Sequence, residues 1–94
     1  MSQRQRLPDR RGSVIAAFEH EGRRYRASAS RLADGRLGEI FLDVGKAGSA
    51  VQAHADNEAI LASLLLQHGV PVGAIRHSID GPLAVALELL EAQR

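Results

Sequence analysis

Cysteine is absent from all 94 residues, and tryptophan is absent as well. The lack of cysteine excludes disulfide bonds, thiolate zinc sites and cysteine nucleophiles. Aromatic residues make up only 3% of the chain, so its core has to be built from Ile, Leu, Val and Ala. No apolar run approaches the length of a membrane span, and the charged first dozen residues do not form a signal peptide. We therefore expect a cytoplasmic protein with no membrane contact.

Length and charge bound the remaining possibilities. Ninety-four residues, 45% of them apolar, suffice for one domain with one modest core. Residues 1–36 hold nine arginines against four acidic residues, whereas the rest of the chain holds three basic residues against seven acidic ones. This asymmetry allows an acidic or phosphate-bearing partner, a self-complementary dimer or simply a solvated surface. A small aliphatic core also favours self-association as a source of stability.

The first half of the chain has the two-residue period of β-strands. Residues 1–12 are polar and arginine-rich and are expected to form a flexible basic arm. Apolar and polar residues alternate from residue 13 onward, and Glu21-Gly22 and Asp34-Gly35 mark turns, the second as a two-residue hairpin. Leu37 to Val44 reads as a third strand, apolar on both faces. The second strand places Tyr25, Ala27 and Ala29 on one face. The pattern predicts a three-stranded antiparallel meander.

The second half has a helical period of 3.6 residues. A long helix is predicted from about Ser49 to His68, with Ser49 as the N-cap and Gly69 as a left-handed C-terminal residue. A short helix follows over residues 71–79, and Pro82 occupies the first position of the last helix. The order of the elements predicts one α+β domain at residues 13–92, a three-stranded antiparallel β-meander followed by one long and two shorter α-helices packed on one face.

The apolar stripes predict which helix faces turn inward. The last helix presents Leu83, Leu87 and Leu90. On the long helix the stripe predicted to face the core consists of Ala53, Ile60, Leu61, Leu64 and Leu65. Leu66 lies off that stripe, and together with Leu89 it is predicted to form a dimer face.

A glycine-spaced basic loop precedes the long helix and is a candidate anion-binding site. Gly45, Lys46, Gly48 and Ser49 lie where the free amides of a helix N-terminus attract anions. In a P-loop, however, the lysine follows the second glycine and the loop follows a parallel strand. The alternative interpretation is that the glycines only turn the chain onto the sheet. Both interpretations stay open from the residues alone.

Other polar residues give weaker indications. His54 and Glu58 lie one helical turn apart, but two ligands do not make a metal site, and we predict no metal and no cofactor. Asn57 and Ser63 are candidates for buried hydrogen bonds. Glu39 and Asp43 share a strand face about 13 Å apart, too far for a shared proton, and are expected to pair with Arg31 or Arg26. A candidate basic surface consists of Arg10, Arg11, Arg24 and Arg26; with only Tyr25 beside it, nucleic-acid binding is disfavoured.

Several stretches, spread over residues 4–79, carry a family resemblance. They are Arg6-Leu7-Pro8-Asp9-Arg10-Arg11-Gly12, Tyr25, the segment from Asp34 to Asp43, Lys46-Ala47-Gly48-Ser49-Ala50 and Leu66-Gln67-His68-Gly69-Val70-Pro71. The sequence resembles the TSCPD domain, a small module near the C-terminus of cobalamin-dependent (class II) ribonucleotide reductases.

The resemblance implies an ancestry rather than an activity. The Thr-Ser-Cys-Pro-Asp motif that names the domain is missing, as are the barrel with its radical cysteine, the reducing cysteine pair and the cobalamin site. No catalytic or cofactor residue is therefore carried over. The resemblance implies a free-standing homologue that is not an enzyme by itself and acts as a protein-interaction or regulatory domain. A reductase subunit, a second copy of the chain or a nucleotide is the expected partner.

Overall fold

The computed structural model describes residues 13–45 and 48–93, with only the backbone of Ser49. Three strands precede three helices: β1 (Val14–His20), β2 (Arg23–Arg31), β3 (Leu37–Val44), α1 (Ser49–Gln67), α2 (Val72–Ser78) and α3 (Pro82–Ala92). The predicted α+β class and order of elements are confirmed. The basic arm predicted at residues 1–12 lies outside the described residues.

The sheet is an antiparallel meander in the order β1-β2-β3. One face is buried under α1 and α3, and the other carries no helix of the described chain. Tyr25, Ala27 and Ala29 point toward the helices, as predicted. The alternation extends through β3, where Ile40 is buried and Phe41 is 55% exposed. The prediction that β3 is apolar on both faces because both are covered is therefore wrong. The sheet is therefore covered on one side only.

The first turn of the meander is the predicted tight turn, and the second differs from the sequence prediction. Glu21 and Gly22 both adopt positive φ, and His20 pairs directly with Arg23, so the tight two-residue turn joins β1 to β2. Between β2 and β3 the connection is longer, and of Asp34 and Gly35 only Gly35 has positive φ. The Asp34-Gly35 pair is thus part of a wider loop rather than a two-residue hairpin.

Asp34 and Arg36 form a local ion pair in this loop. The Arg36 Nε–H donates to Asp34 Oδ2 at 2.8 Å, and the Arg36 backbone N–H donates to Oδ1 at 3.1 Å. These hydrogen bonds, the side-chain one first, hold the pKa of Asp34 below its ordinary value. A lowered pKa in the folded state means that the carboxylate stabilises the fold above its unfolded-state pKa, and that this contribution is lost as the pH falls through the folded value.

Arg36→Gln is expected to return the pKa of Asp34 toward its ordinary value, because the substitution removes the charged donor. An NMR titration of the Asp34 side-chain carboxyl carbon measures this shift. Arg76→Gln, which leaves the loop untouched, is the matched control. An unchanged Asp34 titration in the Arg36 variant would contradict the assignment.

The ends of the helices follow the predicted signals, with one shift. Gly48, not Ser49, is the N-cap of α1, and Ser49 is its first helical residue. Gly69 has a φ of 93°, the left-handed conformation expected after the end of a helix. Pro82 opens α3 as predicted, because a proline at the first helical position loses no intrahelical hydrogen bond.

α3 completes the core. Its inward stripe is fully buried, and α2 packs against it rather than against the sheet. Beyond the helix, Gln93 Nε2 donates to the Ile15 carbonyl oxygen at 2.7 Å, and the Arg31 guanidinium binds the Gln93 carbonyl oxygen. The C-terminal end is thereby tied to β1 and β2. The buried residues of the inward stripe are Leu83, Ala86, Leu87 and Leu90.

Candidate functional site

Polar side chains of α1 bind the β3 edge of the sheet. The edge strand β3 points backbone groups of alternate residues away from β2, and such groups need partners. The Ile40 N–H donates to Ser63 Oγ at 2.8 Å, and the Gly38 carbonyl accepts from Gln67 Nε2 at 2.9 Å. Gln52 serves two of these groups, because its Oε1 accepts the Val44 N–H at 3.0 Å and its Nε2 donates to the Leu42 carbonyl at 3.1 Å.

These three side chains, which we call the edge clamp, fix the rotation of α1. Gln52, Ser63 and Gln67 are 11 and 4 residues apart, and spacings near multiples of 3.6 place them on one helix face. Ser63 was predicted to make a buried hydrogen bond, and the structure confirms it; Asn57 is exposed instead. The roles of Gln52 and Gln67 were missed, although their spacing relative to Ser63 was a readable signal.

The edge clamp turns the large aliphatic residues of α1 outward. The buried residues of α1 include the small Ala55, Ala59 and Ala62, which let the helix approach its neighbours closely. The stripe predicted to face the core lies on the outside: Ile60 is 57%, Leu61 61%, Leu64 36% and Leu65 45% exposed. The prediction for Leu66 was also wrong, because it is 1% exposed and belongs to the core, not to a dimer face.

We call Ile60, Leu61, Leu64 and Leu65 the outer α1 face; it lies between two grooves. A groove of about 410 Å³ between α1 and β3 is lined by Ile60, Leu64 and the exposed Phe41. On the other side, a groove of about 420 Å³ between α1, α2 and α3 is lined by Leu61, Leu65 and further aliphatic residues. An exposed apolar surface of this kind is typical of a contact with another molecule.

Carboxylates are the charged groups that line both grooves. Glu39, Asp43 and Asp56 line the first groove, and Glu58 and Asp80 line the second. Neither groove is lined by a lysine or arginine of the described chain. The outer α1 face is therefore apolar along its centre and acidic along both margins.

The candidate anion-binding loop is described only in part. Lys46 and Ala47 lie outside the described residues, and so does the side chain of Ser49. The Gly45 N–H donates to the Arg24 carbonyl oxygen at 2.9 Å, so this amide is not available to an anion. Gly48 is the N-cap of the helix with a φ of −67°. No heavy atom lies within 4 Å of the position that a Cβ would take there. Anion binding at this loop stays a prediction.

The candidate basic surface is divided by the sheet. Arg24 and Arg26 are exposed on the uncovered face, whereas Tyr25 points into the core, where it stacks on Phe18 with ring centroids 5.4 Å apart. The strand register places Glu19 opposite Arg24 and Asp43 opposite Arg26. The arginines therefore have no tyrosine beside them on which a base could stack. Arg10 and Arg11 lie outside the described residues.

The remaining polar predictions have mixed outcomes. The register confirms Arg26 as the neighbour of Asp43, but the Arg31 guanidinium binds the backbone oxygens of Gly35 and Gln93 rather than a carboxylate. Within residues 13–45 and 48–93, no group of three or more histidines and carboxylates could hold a metal ion. No helix in the described part of the chain is both long and apolar enough to cross a membrane.

Comparison with known proteins places the chain among domains of one family. Residues 5–83 match the sequence model of the TSCPD domain. The chain is 40% identical over 72 residues to a vitamin B12-dependent ribonucleotide reductase of Bradyrhizobium diazoefficiens, an alignment that covers 77% of this chain and 6% of the reductase. A reductase of the same name from Agrobacterium fabrum is 40% identical over 70 residues, and one from Rhodopirellula baltica 35% identical over 72.

The similarity covers nearly the whole domain but little of its relatives. The chain spans only 6–7% of the length of these three reductases. No solved structure matches it at a significant level. The family match ends at Leu83, so most of α3 lies beyond it. The match nonetheless includes all three strands, α1 and α2, and the chain therefore belongs to the TSCPD domain family, related to vitamin B12-dependent ribonucleotide reductases.

Proposed function

We propose that this domain is a non-catalytic protein-interaction module that binds a vitamin B12-dependent ribonucleotide reductase and regulates it. The observation that supports the proposal is the outer α1 face, where four adjacent large aliphatic side chains are 36–61% exposed. Burying exposed aliphatic area contributes about 25 cal/mol per Å², so such a face favours association. The partner is suggested by the three relatives described above, which are reductases of this kind. Binding would take place in the cytoplasm.

The chemistry of the chain agrees with a non-catalytic role. It contains no cysteine, whereas the resemblance implies that the reductases carry a radical cysteine and a reducing cysteine pair. The outer α1 face carries no nucleophile or base of its own. Its composition is typical of a protein–protein interface, which is apolar in the centre and charged at the margins.

Leu61→Ser is expected to weaken binding to the reductase at least about tenfold, which corresponds to about 1.4 kcal/mol. Leu61 is the most exposed residue of the outer α1 face, so the change should leave the fold intact. Isothermal titration calorimetry of the domain into the purified reductase from the same cell measures the affinity, and a reductase assay reports regulation.

Leu89→Ser provides the matched control, because Leu89 is a 37% exposed leucine on α3 outside both grooves. This variant should bind like the unmodified domain. The proposal fails if the reductase does not bind at concentrations up to the millimolar range, or if both variants lose affinity equally.

Small-anion or nucleotide binding at the loop from Gly45 to Ser49 is the alternative function. It rests on the position of the loop at the N-terminus of α1, whose first turn contains no acidic residue to offset the helix dipole. Nucleotide titration followed through the amide resonances of Gly45 to Ala50 tests it, and unchanged resonances would exclude it. Nucleic-acid binding through the arginines of β2 has less support, because Tyr25 is buried.

A further inference from the structure

We propose that the partner element recognised by the outer α1 face is an amphipathic helix with an apolar stripe flanked by Lys and Arg. This inference rests on the proposed function, since it names the chemistry of the element that the module binds. Three features support it: the hydrogen-bonded edge of β3, the two rows of aliphatic side chains on α1, and the acidic margins of both grooves.

The edge clamp disfavours a partner in the form of an added strand. Peptides often bind by adding a strand to a free sheet edge, and that mode needs unpaired backbone groups. On β3, one backbone group each of Gly38, Ile40, Leu42 and Val44 already binds Gln52, Ser63 or Gln67. A partner of the outer α1 face therefore has to contribute side chains rather than a strand backbone.

The side chains of the outer α1 face form the ridges and the furrow that helix packing requires. Ile60 and Leu64 form one row along the helix, and Leu61 and Leu65 form a second row, each with a spacing of four residues. Rows of this spacing are the ridges of an α-helix, and a second helix packs by placing its own ridge in the furrow between two such rows. Adjoining grooves of about 410 and 420 Å³ leave room for the flanking side chains of that second helix.

The charges beside the outer α1 face indicate which residues flank the apolar stripe of the partner helix. Both grooves are lined by exposed or half-exposed carboxylates, Asp56 and Glu58 on α1 among them, and by no lysine or arginine of the described chain. A second copy of the domain that docked through its own outer α1 face would bring another acidic margin to the interface, and like charges oppose association. Lys and Arg flanks instead meet the carboxylates and leave the apolar stripe to pack against the leucines.

Two synthetic helical peptides test the inference. They share one leucine stripe with helical spacing and differ only in their flanks, which are lysine in one and glutamate in the other. The unmodified domain is expected to bind the lysine-flanked peptide at least about tenfold more tightly, with an affinity that falls as salt is added. Fluorescence anisotropy of labelled peptides gives the affinities. Leu61→Ser should weaken binding of the lysine-flanked peptide, and Leu89→Ser should not.

A charge reversal on the domain supplies the complementary test. The double variant Asp56→Lys/Glu58→Lys is expected to lose its preference for the lysine-flanked peptide, while circular dichroism shows that it remains folded. The inference is overturned if the two peptides bind equally, if neither binds, or if Leu61→Ser leaves their affinities unchanged.

Parallel reductase titrations separate this inference from the proposed function. If Leu61→Ser weakens reductase binding but the charge reversal does not, the function stands and the basic-helix partner is wrong. If neither the reductase nor the peptides bind, both proposals fall. Sedimentation showing a dimer that Leu61→Ser dissociates would identify a second copy as the occupant and would overturn the inference.

Discussion

Replacing Leu87 by alanine is expected to lower the free energy of unfolding by about 3 kcal/mol. Leu87 is 0% exposed and lies on α3 within the hydrophobic core. Its truncation removes buried apolar area and leaves a cavity that the surrounding side chains fill only in part. A domain of this size has a total stability of about 5–15 kcal/mol, so the loss is a large fraction of it.

Urea denaturation followed by circular dichroism measures the effect. Leu89→Ala is the matched control, because it removes the same atoms from the same helix at a position that is 37% exposed. The control should cost less than about 1 kcal/mol. Equal losses in the two variants would show that α3 does not pack on the sheet through the Leu87 face.

Replacing Ser63 by alanine is expected to destabilise the fold by about 1–3 kcal/mol, through an unsatisfied backbone group. The Ile40 N–H donates to Ser63 Oγ at 2.8 Å, and the Ser63 hydroxyl in turn donates to the Ala59 carbonyl at 2.7 Å. Ser63 is 7% exposed, so water has poor access to the amide that the substitution leaves behind. The helix keeps its own backbone bonds and loses one of its attachments to β3.

The measurement combines urea denaturation with hydrogen exchange of the Ile40 amide, which should accelerate in the variant. Ser78→Ala is the control, since the Ser78 hydroxyl donates to the Ala74 carbonyl at 2.7 Å on an exposed helix surface. It should change stability by no more than about 0.5 kcal/mol. The Ser63→Ala variant could instead be as stable as the control and show unchanged hydrogen exchange at Ile40. That result would contradict the stabilising role of the edge clamp.

The two proposals and the edge clamp are connected by the rotation of α1. The hydrogen bonds of Gln52, Ser63 and Gln67 to β3 hold the alanine face against the sheet. With that face inward, Leu61 and its neighbours have to face outward, where they cost solvation free energy unless a partner covers them. The same interactions that stabilise the isolated domain therefore also present the proposed binding surface.

The sequence by itself determined the elements and most of their ends. Alternation of side chains located β1 and β2, because the two-residue period follows from strand geometry, and a short apolar run located β3. Proline and glycine fixed helix boundaries at Pro82 and Gly69, because each has a backbone requirement that holds in any tertiary context. The stripe of α3 was also predictable, since Leu83, Leu87 and Leu90 lie on its one strongly apolar face.

Only the tertiary structure decided which face of α1 lies inside. Hydrophobicity favoured the stripe containing Leu61 and Leu64, but the neighbouring edge strand has backbone groups to satisfy. Alanines allow the close approach, and Ser63 and Gln67 supply the hydrogen bonds, so polar pairing outweighs the burial of larger side chains. Which backbone groups of an edge strand need partners depends on its neighbours in space. The helical period of α1 alone could therefore not predict them.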